Sequence, residues 1–128
     1  MYLKTVLSVV YQDTGEQYDP REIGKILQKN LREQNIYRIA VGEGELSGWL
    51  ASILIYTDIE IVFYFDLDRN CPPPREKFVN KKPHLCFTAP WPEVDAVIVT
   101  DYASYTRQKK CLKDRKGITP ISIMDLVQ

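Results

Sequence analysis

The stretch YRIAVGEGELSGWLASIL, residues 37–54, joins a short apolar segment to a glycine-rich turn and then to an amphipathic segment. Tyr37–Val41 is apolar and β-prone, which predicts a buried strand. After the glycines, apolar residues recur at the spacing of a helix with one buried face. These residues are Leu46, Trp49, Leu50, Ile53 and Leu54. A strand that passes through a tight turn into a helix is the first half of a β-α-β unit.

A helix is also predicted on the amino-terminal side of this stretch. Asp19 suits the N-cap, Pro20 suits the first helical position, and Glu22 completes a capping box. Apolar residues at helical spacing follow, and the helix is expected to end near Asn35. Residues 1–18 are expected to form an arm or a short helix, and residues 19–128 a single domain.

Further strands and helices are predicted on the carboxyl-terminal side. Ile59–Phe65 is β-branched and aromatic, and the apolar run at Asp95–Thr100 is typical of a central parallel strand. HLCF, residues 84–87, is a short strand candidate after a proline-rich loop, and Ile121–Ile123 is the last strand. A helix from about residue 103 to Lys116 ends at Gly117, and the final residues begin a terminal helix.

The alternation of strands with helices predicts an α/β fold with a parallel sheet. Right-handed crossovers leave few topologies for such a chain. We expect about five strands in the order 3-2-1-4-5, with Tyr37–Val41 in the centre and helices on both faces. This is a compact Rossmann-like arrangement.

Composition excludes several classes of function. Seventeen basic residues balance seventeen acidic ones, which argues against a general nucleic-acid-binding protein. Three separated cysteines and one histidine fit neither a disulfide framework nor a zinc site. No apolar run approaches the roughly 20 residues that span a bilayer. The simplest location is therefore the cytoplasm, with free thiols.

The glycine turn resembles a dinucleotide-binding fingerprint in spacing and context. Gly42 and Gly44 match the first two glycines of G-x-G-x-x-G, and Ser47 takes the third position. Asp68 follows the second strand at the distance of a ribose-binding carboxylate, and Asp66 is a second candidate for that role. The pattern predicts a pyrophosphate site at the start of the following helix.

Two carboxylates argue for a different interpretation of the same turn. Glu43 and Glu45 lie where a pyrophosphate would dock. A helix N-terminus attracts negative charge, and these side chains supply it already. The alternative is a turn that maintains the geometry of the fold and binds nothing.

Four segments together resemble a family of small Rossmann-like domains that occur alone or attached to enzymes of sugar-nucleotide and surface-polysaccharide metabolism, including glycosyltransferases and sugar dehydratases. The segments are YRIAVGEGELSGWLASIL, IEIVFYFDLDRN, PWPEVDAVIVTDYASY and ITPISIMDLV, and the resemblance covers about residues 19–127. It implies a nucleotide-binding type of fold. Members of this size usually lack a substrate-binding domain, which implies binding more than catalysis.

The resemblance also implies roles for particular residues. Gly42, Gly44 and Ser47 match the family's turn. Asp68 and Asn70 match the acidic position after the second strand. In the family, a small residue is more common at the position of Glu43.

The end of the strand at Asp95–Thr100 supplies further candidates. Thr100 matches the family's threonine at the end of that strand. Tyr102 lies at the carboxyl edge of the sheet, where it could stack on a base. Tyr105 and Lys109 have the spacing of the tyrosine–lysine pair of short-chain dehydrogenases, in which the lysine lowers the pKa of a tyrosine acid.

Three functions follow from these observations. The first is a non-catalytic or accessory nucleotide-binding domain whose ligand is NAD(P) or a nucleotide-sugar. The second is an interaction or scaffold domain with a vestigial ligand site, which acts through homo-oligomerisation or a larger partner enzyme. The third, an oxidoreductase that uses Tyr105 and Lys109, has the least support because such enzymes have longer chains.

Overall fold

The computed structural model describes residues 20–44, 46–66, 75–76, 81–86, 89–100 and 105–126. The helices in this part of the chain are α1 (Pro20–Arg32), α2 (Ser47–Leu54), α3 (Tyr105–Lys116) and α4 (Ile123–Leu126). The strands are β1 (Arg38–Gly42), β2 (Glu60–Asp66), β3 (Arg75–Glu76), β4 (Pro83–Cys86), β5 (Ala96–Val99) and β6 (Ile121–Ser122).

These strands form one sheet in the order β3-β4-β2-β1-β5-β6. The pairs β4·β2, β2·β1, β1·β5 and β5·β6 are all parallel. The predicted α/β fold is thus confirmed, with five parallel strands in the order 3-2-1-4-5 and β1 in the centre. The two residues of β3 pair antiparallel with β4 at the edge and add a short strand within the segment that was expected to be a loop.

A β-bulge interrupts the pairing of the two central strands. Ile39 of β1 lies opposite Ile61 of β2, whereas Ala40 lies opposite Phe63. Val62 is therefore the extra residue on β2. A bulge shifts the alternation of side chains by one position, and here it puts Phe63 on the same face as Ala40, in one apolar cluster.

Apolar clusters cover both faces of the sheet, as predicted. One cluster combines residues of α1, α2 and α4 with Ile39, Val41 and Ile98 of the sheet. It includes the whole predicted buried face of the second helical segment: Leu46 at the N-cap of α2, and Trp49, Leu50, Ile53 and Leu54 within the helix.

The opposite face is covered by α3 and by the segment that precedes β5. Leu112 of α3 lies in this second cluster with Phe63 and Phe65. The ring centroid of Trp91 is 5.1 Å from that of Phe63 and 4.9 Å from that of Phe65. Lys116 in turn places its Nζ 4.5 Å from the centroid of the Trp91 ring, so a cation–π contact shields the outer side of this cluster.

Residues in the left-handed region end two of the helices. α1 ends at Arg32, and the chain turns through Asn35 (φ 60°) so that the N–H of Ile36 donates to Leu31 O at 2.9 Å. α3 is closed at Gly117 (φ 67°) as predicted, where the N–H of Ile118 donates to Leu112 O at 3.3 Å. Both bonds satisfy carbonyl groups that a helix end leaves without partners.

Several expectations concern residues outside the described part of the chain. These are the amino-terminal arm (1–18), the Asp19 cap, Glu45, Asp68, Asn70, Tyr102, and the proline-rich loop apart from residues 75–76 and 81–83. The expectation of free thiols is wrong for Cys86, which is disulfide-bonded, whereas Cys111 is free. Among the helices described, none has the length and apolar character to cross a membrane.

Candidate functional site

The strand order reverses at β1: β2 and β4 lie on one side of it, and β5 and β6, which come later in the chain, lie on the other. The chain leaves β1 toward α2 on one face and leaves β5 toward α3 on the other. Such a switch point opens a crevice at the carboxyl ends of the two strands, where open α/β sheets bind their ligands. The structure brings four of the predicted site residues to this edge: Gly42, Gly44, Ser47 and Thr100.

Gly42, the last residue of β1, lies in close contact with the side chain of Phe65. A Cβ at this position would lie 3.1 Å from Cζ and 3.3 Å from Cε2 of Phe65. The next residue continues the pairing with β2, because the N–H of Glu43 donates to Phe65 O at 2.8 Å. The first glycine of the fingerprint therefore lets an aromatic ring approach the backbone beneath the turn.

Ser47, at the position of the third glycine, closes the turn with its own hydroxyl. Its Oγ donates to Gly44 O at 2.9 Å and accepts the N–H of Gly44 at 3.4 Å. The side chain is buried. Where the fingerprint has its third glycine, this chain has a serine whose hydroxyl is hydrogen-bonded to the backbone of the turn. Hydroxyl side chains stabilise tight turns in this way.

Thr100 joins the two strands at the switch point. Its Oγ1 donates to Gly42 O at 2.7 Å, and the side chain is only 1% exposed. The hydroxyl therefore holds the chain beyond β5 against the end of β1.

The amino terminus of α2 faces the crevice without a side-chain cap. Leu46 occupies the N-cap position and makes no side-chain cap hydrogen bond. Gly48 in the first turn is exposed, and a Cβ there would meet no atom within 4 Å. The first-turn N–H groups and the positive end of the helix dipole favour an anion at such a terminus.

Glu43 places negative charge close to this helix terminus. The residue is half-buried, and its Oε1 is shielded from solvent. The carboxylate therefore turns toward the protein and not into bulk water. A negative charge at this position would repel a bound pyrophosphate, which is the expectation from the sequence.

Gln108 of α3 is a residue of this edge that sequence reasoning missed. Its side chain is buried, and its Oε1 lies 3.6 Å from the position of a Cβ on Gly42. Leu112, one helical turn later, is also buried. Residues four apart lie on the same side of a helix, so the position of Gln108 one turn before Leu112 was the available signal.

Asp66, the last residue of β2, lies at the same edge and is half-buried. It stands one strand away from the glycine turn, opposite Cys86 of β4. This places a carboxylate where a ribose-binding acid is expected in a Rossmann-like fold. Of the two acidic candidates, Asp66 and Asp68, Asp66 is the one that lies in the described part of the chain.

Tyr105 and Lys109 are not arranged as a catalytic pair. The Tyr105 hydroxyl donates to Pro120 O at 3.3 Å, and Nζ of Lys109 lies 6.0 Å from the centroid of the tyrosine ring. Burial and the Asp125 carboxylate raise the pKa of Tyr105. A tyrosine acid needs the opposite shift, so this geometry gives the oxidoreductase hypothesis no support.

Comparison of the chain with protein-family models gives no match. No curated protein and no solved structure matches it significantly either. Across the described residues, histidine, cysteine and acidic side chains form no group of three that could hold a metal ion.

Proposed function

We propose that this chain is a non-catalytic or accessory nucleotide-binding domain of Rossmann-like type. One observation carries the proposal. A glycine turn at the switch point of a parallel sheet leads into the uncapped first turn of α2, which is open at Gly48. These are the elements that bind the pyrophosphate of NAD(P) or of a nucleotide-sugar in folds of this class.

The proposed ligand would contact backbone groups more than side chains. The hydroxyls of Ser47 and Thr100 are already bonded to the backbone, so they position the turn. The N–H groups of Glu43, Gly44 and Ser47 already have acceptors within the protein, so the N–H of Gly48 in the first turn of α2 would donate to a phosphate oxygen. Asp66 or Asp68 would accept a ribose hydroxyl.

A thermal-shift screen against NAD⁺, NADP⁺, UDP-glucose and UDP tests the proposal. At a concentration of about 100 Kd, binding to the folded state alone adds about 2.7 kcal/mol of stability. For a chain of 128 residues, this is a rise of roughly 10 °C in Tm. A shift with UDP-glucose above that with UDP would identify a nucleotide-sugar, in line with the resemblance to domains of sugar-nucleotide metabolism.

The shielded carboxylate of Glu43 favours a second function, that of an interaction or scaffold domain with a vestigial site. A charge held at the turn occupies the electrostatic position of a phosphate. In that case the screen produces no shift with any of the four ligands.

A further inference from the structure

Gln108 of α3 is a buried polar residue at the edge of the sheet where the glycine turn lies. Its side chain is 4% exposed, and its Oε1 lies 3.6 Å from the position of a Cβ on Gly42. The buried hydroxyls of Ser47 and Thr100 at this edge both bond the backbone. In the described part of the chain, by contrast, no residue hydrogen-bonds the side-chain amide of Gln108. This amide is therefore available to a ligand.

Packing alone does not require a glutamine at this position. Leu112, on the same side of α3 one turn later, is fully buried in the apolar cluster that includes Phe65. An apolar side chain of similar size at position 108 would extend this cluster, whereas a buried amide without partners destabilises the folded protein. Amides in such positions complete their hydrogen bonds with a ligand or with an ordered water.

Gln108 and Asp66 lie on opposite sides of the glycine turn. The strand that leads into the turn, β1, has β2 on one side and β5 on the other. Asp66 ends β2, and Gln108 belongs to the helix that follows β5. A nucleotide with its diphosphate at the first turn of α2 would lie across the ends of these strands. Its nucleoside would then lie on the side of Asp66, and the group joined to its outer phosphate on the side of Gln108.

The chemistry of an amide selects the kind of group that Gln108 can bind. A glutamine side chain is uncharged and offers N–H donors beside a carbonyl acceptor in one plane. It therefore pairs best with an uncharged group that also has a donor beside an acceptor. The carboxamide of nicotinamide and the neighbouring hydroxyls of a hexose both have this arrangement, whereas ionised phosphate oxygens only accept.

We propose that Gln108 is a specificity-determining residue of the nucleotide site, where its amide hydrogen-bonds the uncharged polar group joined to the outer phosphate of the ligand. This inference rests on the proposed function, because it requires the diphosphate to lie at the first turn of α2. It adds the class of ligand to that function. The ligand is a nucleoside diphosphate that carries a second polar group, and not a free nucleoside diphosphate.

Isothermal titration calorimetry with two pairs of ligands tests the proposal: NAD⁺ with ADP, and UDP-glucose with UDP. We expect the wild type to bind the longer ligand of one pair more tightly than the matching diphosphate. Gln108→Met keeps the size of the side chain but removes its donors and its acceptor. It should weaken binding of the longer ligand about tenfold, which corresponds to one or two neutral hydrogen bonds, and leave the Kd of the diphosphate unchanged. The pair that shows this difference identifies the outer group as ribosyl-nicotinamide or hexose.

Two further variants keep this result interpretable. Gln108→Glu retains the shape of the side chain but loses the N–H donors, so it should also weaken binding of the longer ligand. The matched control is Gln34→Met, which removes the amide of an exposed glutamine whose Nε2 donates to Asn30 O at 3.2 Å just after α1. It should change the Kd of neither ligand. The Tm of each ligand-free variant shows that it is folded.

Several results would overturn the inference, and they differ in what they say about nucleotide binding. If Gln108→Met leaves the Kd of the longer ligand unchanged, or weakens both ligands of a pair equally, Gln108 serves the structure of the turn and not the recognition of the outer group. If the wild type binds a diphosphate as tightly as the longer ligand, the inference is wrong and the proposed function stands. If none of the four nucleotides binds, both are wrong.

Discussion

At the residue scale, Gly42 matches the nucleotide-binding fingerprint and also leaves room for a neighbouring aromatic ring. Because a Cβ would lie 3.1 Å from the Phe65 ring, Gly42→Ala should destabilise the fold by about 1–3 kcal/mol through overpacking. Urea unfolding measures this loss. The control is Gly48→Ala, whose Cβ enters open space and which should stabilise α2 slightly. Equal stability of Gly42→Ala and the wild type would show that the ring moves aside freely.

Glu43 is the residue that separates the two candidate functions. If a pyrophosphate docks at this turn, the charges of Glu43 and Glu45 would oppose it by roughly 1–3 kcal/mol at an intermediate effective dielectric. Glu43→Gln combined with Glu45→Gln should therefore strengthen nucleotide binding about ten- to hundredfold, as measured by isothermal titration calorimetry. If wild type already binds tightly and the double variant adds nothing, the carboxylates point away from the phosphate.

Asp95 links two elements at the amino-terminal edge of the sheet. Its carboxylate accepts the N–H groups of Tyr37 and Arg38, each at 2.9 Å, and so joins the start of β5 to the start of β1. These backbone hydrogen bonds, and less strongly the Arg38 charge, hold the pKa of Asp95 below its ordinary value. A lowered carboxyl pKa contributes stability above the unfolded-state pKa, and this stability is lost as pH falls through the folded-state pKa.

Asp95→Asn should accordingly be less stable than the wild type near neutral pH. The difference should shrink on acidification below the ordinary carboxyl pKa of about 3.9, as pH falls through the lowered folded-state pKa of Asp95. Urea unfolding midpoints across this range are the measurement. A difference that stays constant with pH would show that the Asp95 charge plays no part.

The elements also show what the sequence could predict. The strands and their order followed from apolar runs that alternate with helical periodicity, because burial on a parallel sheet imposes that pattern. The bulge at Val62 could not be predicted, since it arises from pairing between two strands. The same holds for the Thr100–Gly42 hydrogen bond, whose partners are 58 residues apart. The carboxyl edge of the sheet could thus be predicted as the candidate site, but the hydrogen bond that the Thr100 hydroxyl makes there could not.

At the scale of the whole molecule, the state of the cysteines is a direct test of the structure. The chain has three cysteines, of which Cys86 is disulfide-bonded and Cys111 is free. Alkylation of the denatured protein without reductant should therefore modify Cys111 and not Cys86, and alkylation after reduction should modify both, as located by peptide mapping. Modification of Cys86 without reductant would contradict the disulfide and restore the original expectation.

The central claim is that the first turn of α2 binds the phosphates of a nucleotide, and two variants of Gly48 test it most directly. Gly48→Ala and Gly48→Asp should both raise the Tm of the ligand-free protein, the first through helix propensity and the second through the helix dipole. With NAD⁺, NADP⁺ or UDP-glucose, we predict a further rise for the wild type and for Gly48→Ala, but none for Gly48→Asp, whose carboxylate takes the place of the phosphate. The claim would be contradicted if the ligand shifted the Tm of both variants equally. It would also be contradicted if no ligand shifted the Tm of either variant or of the wild type.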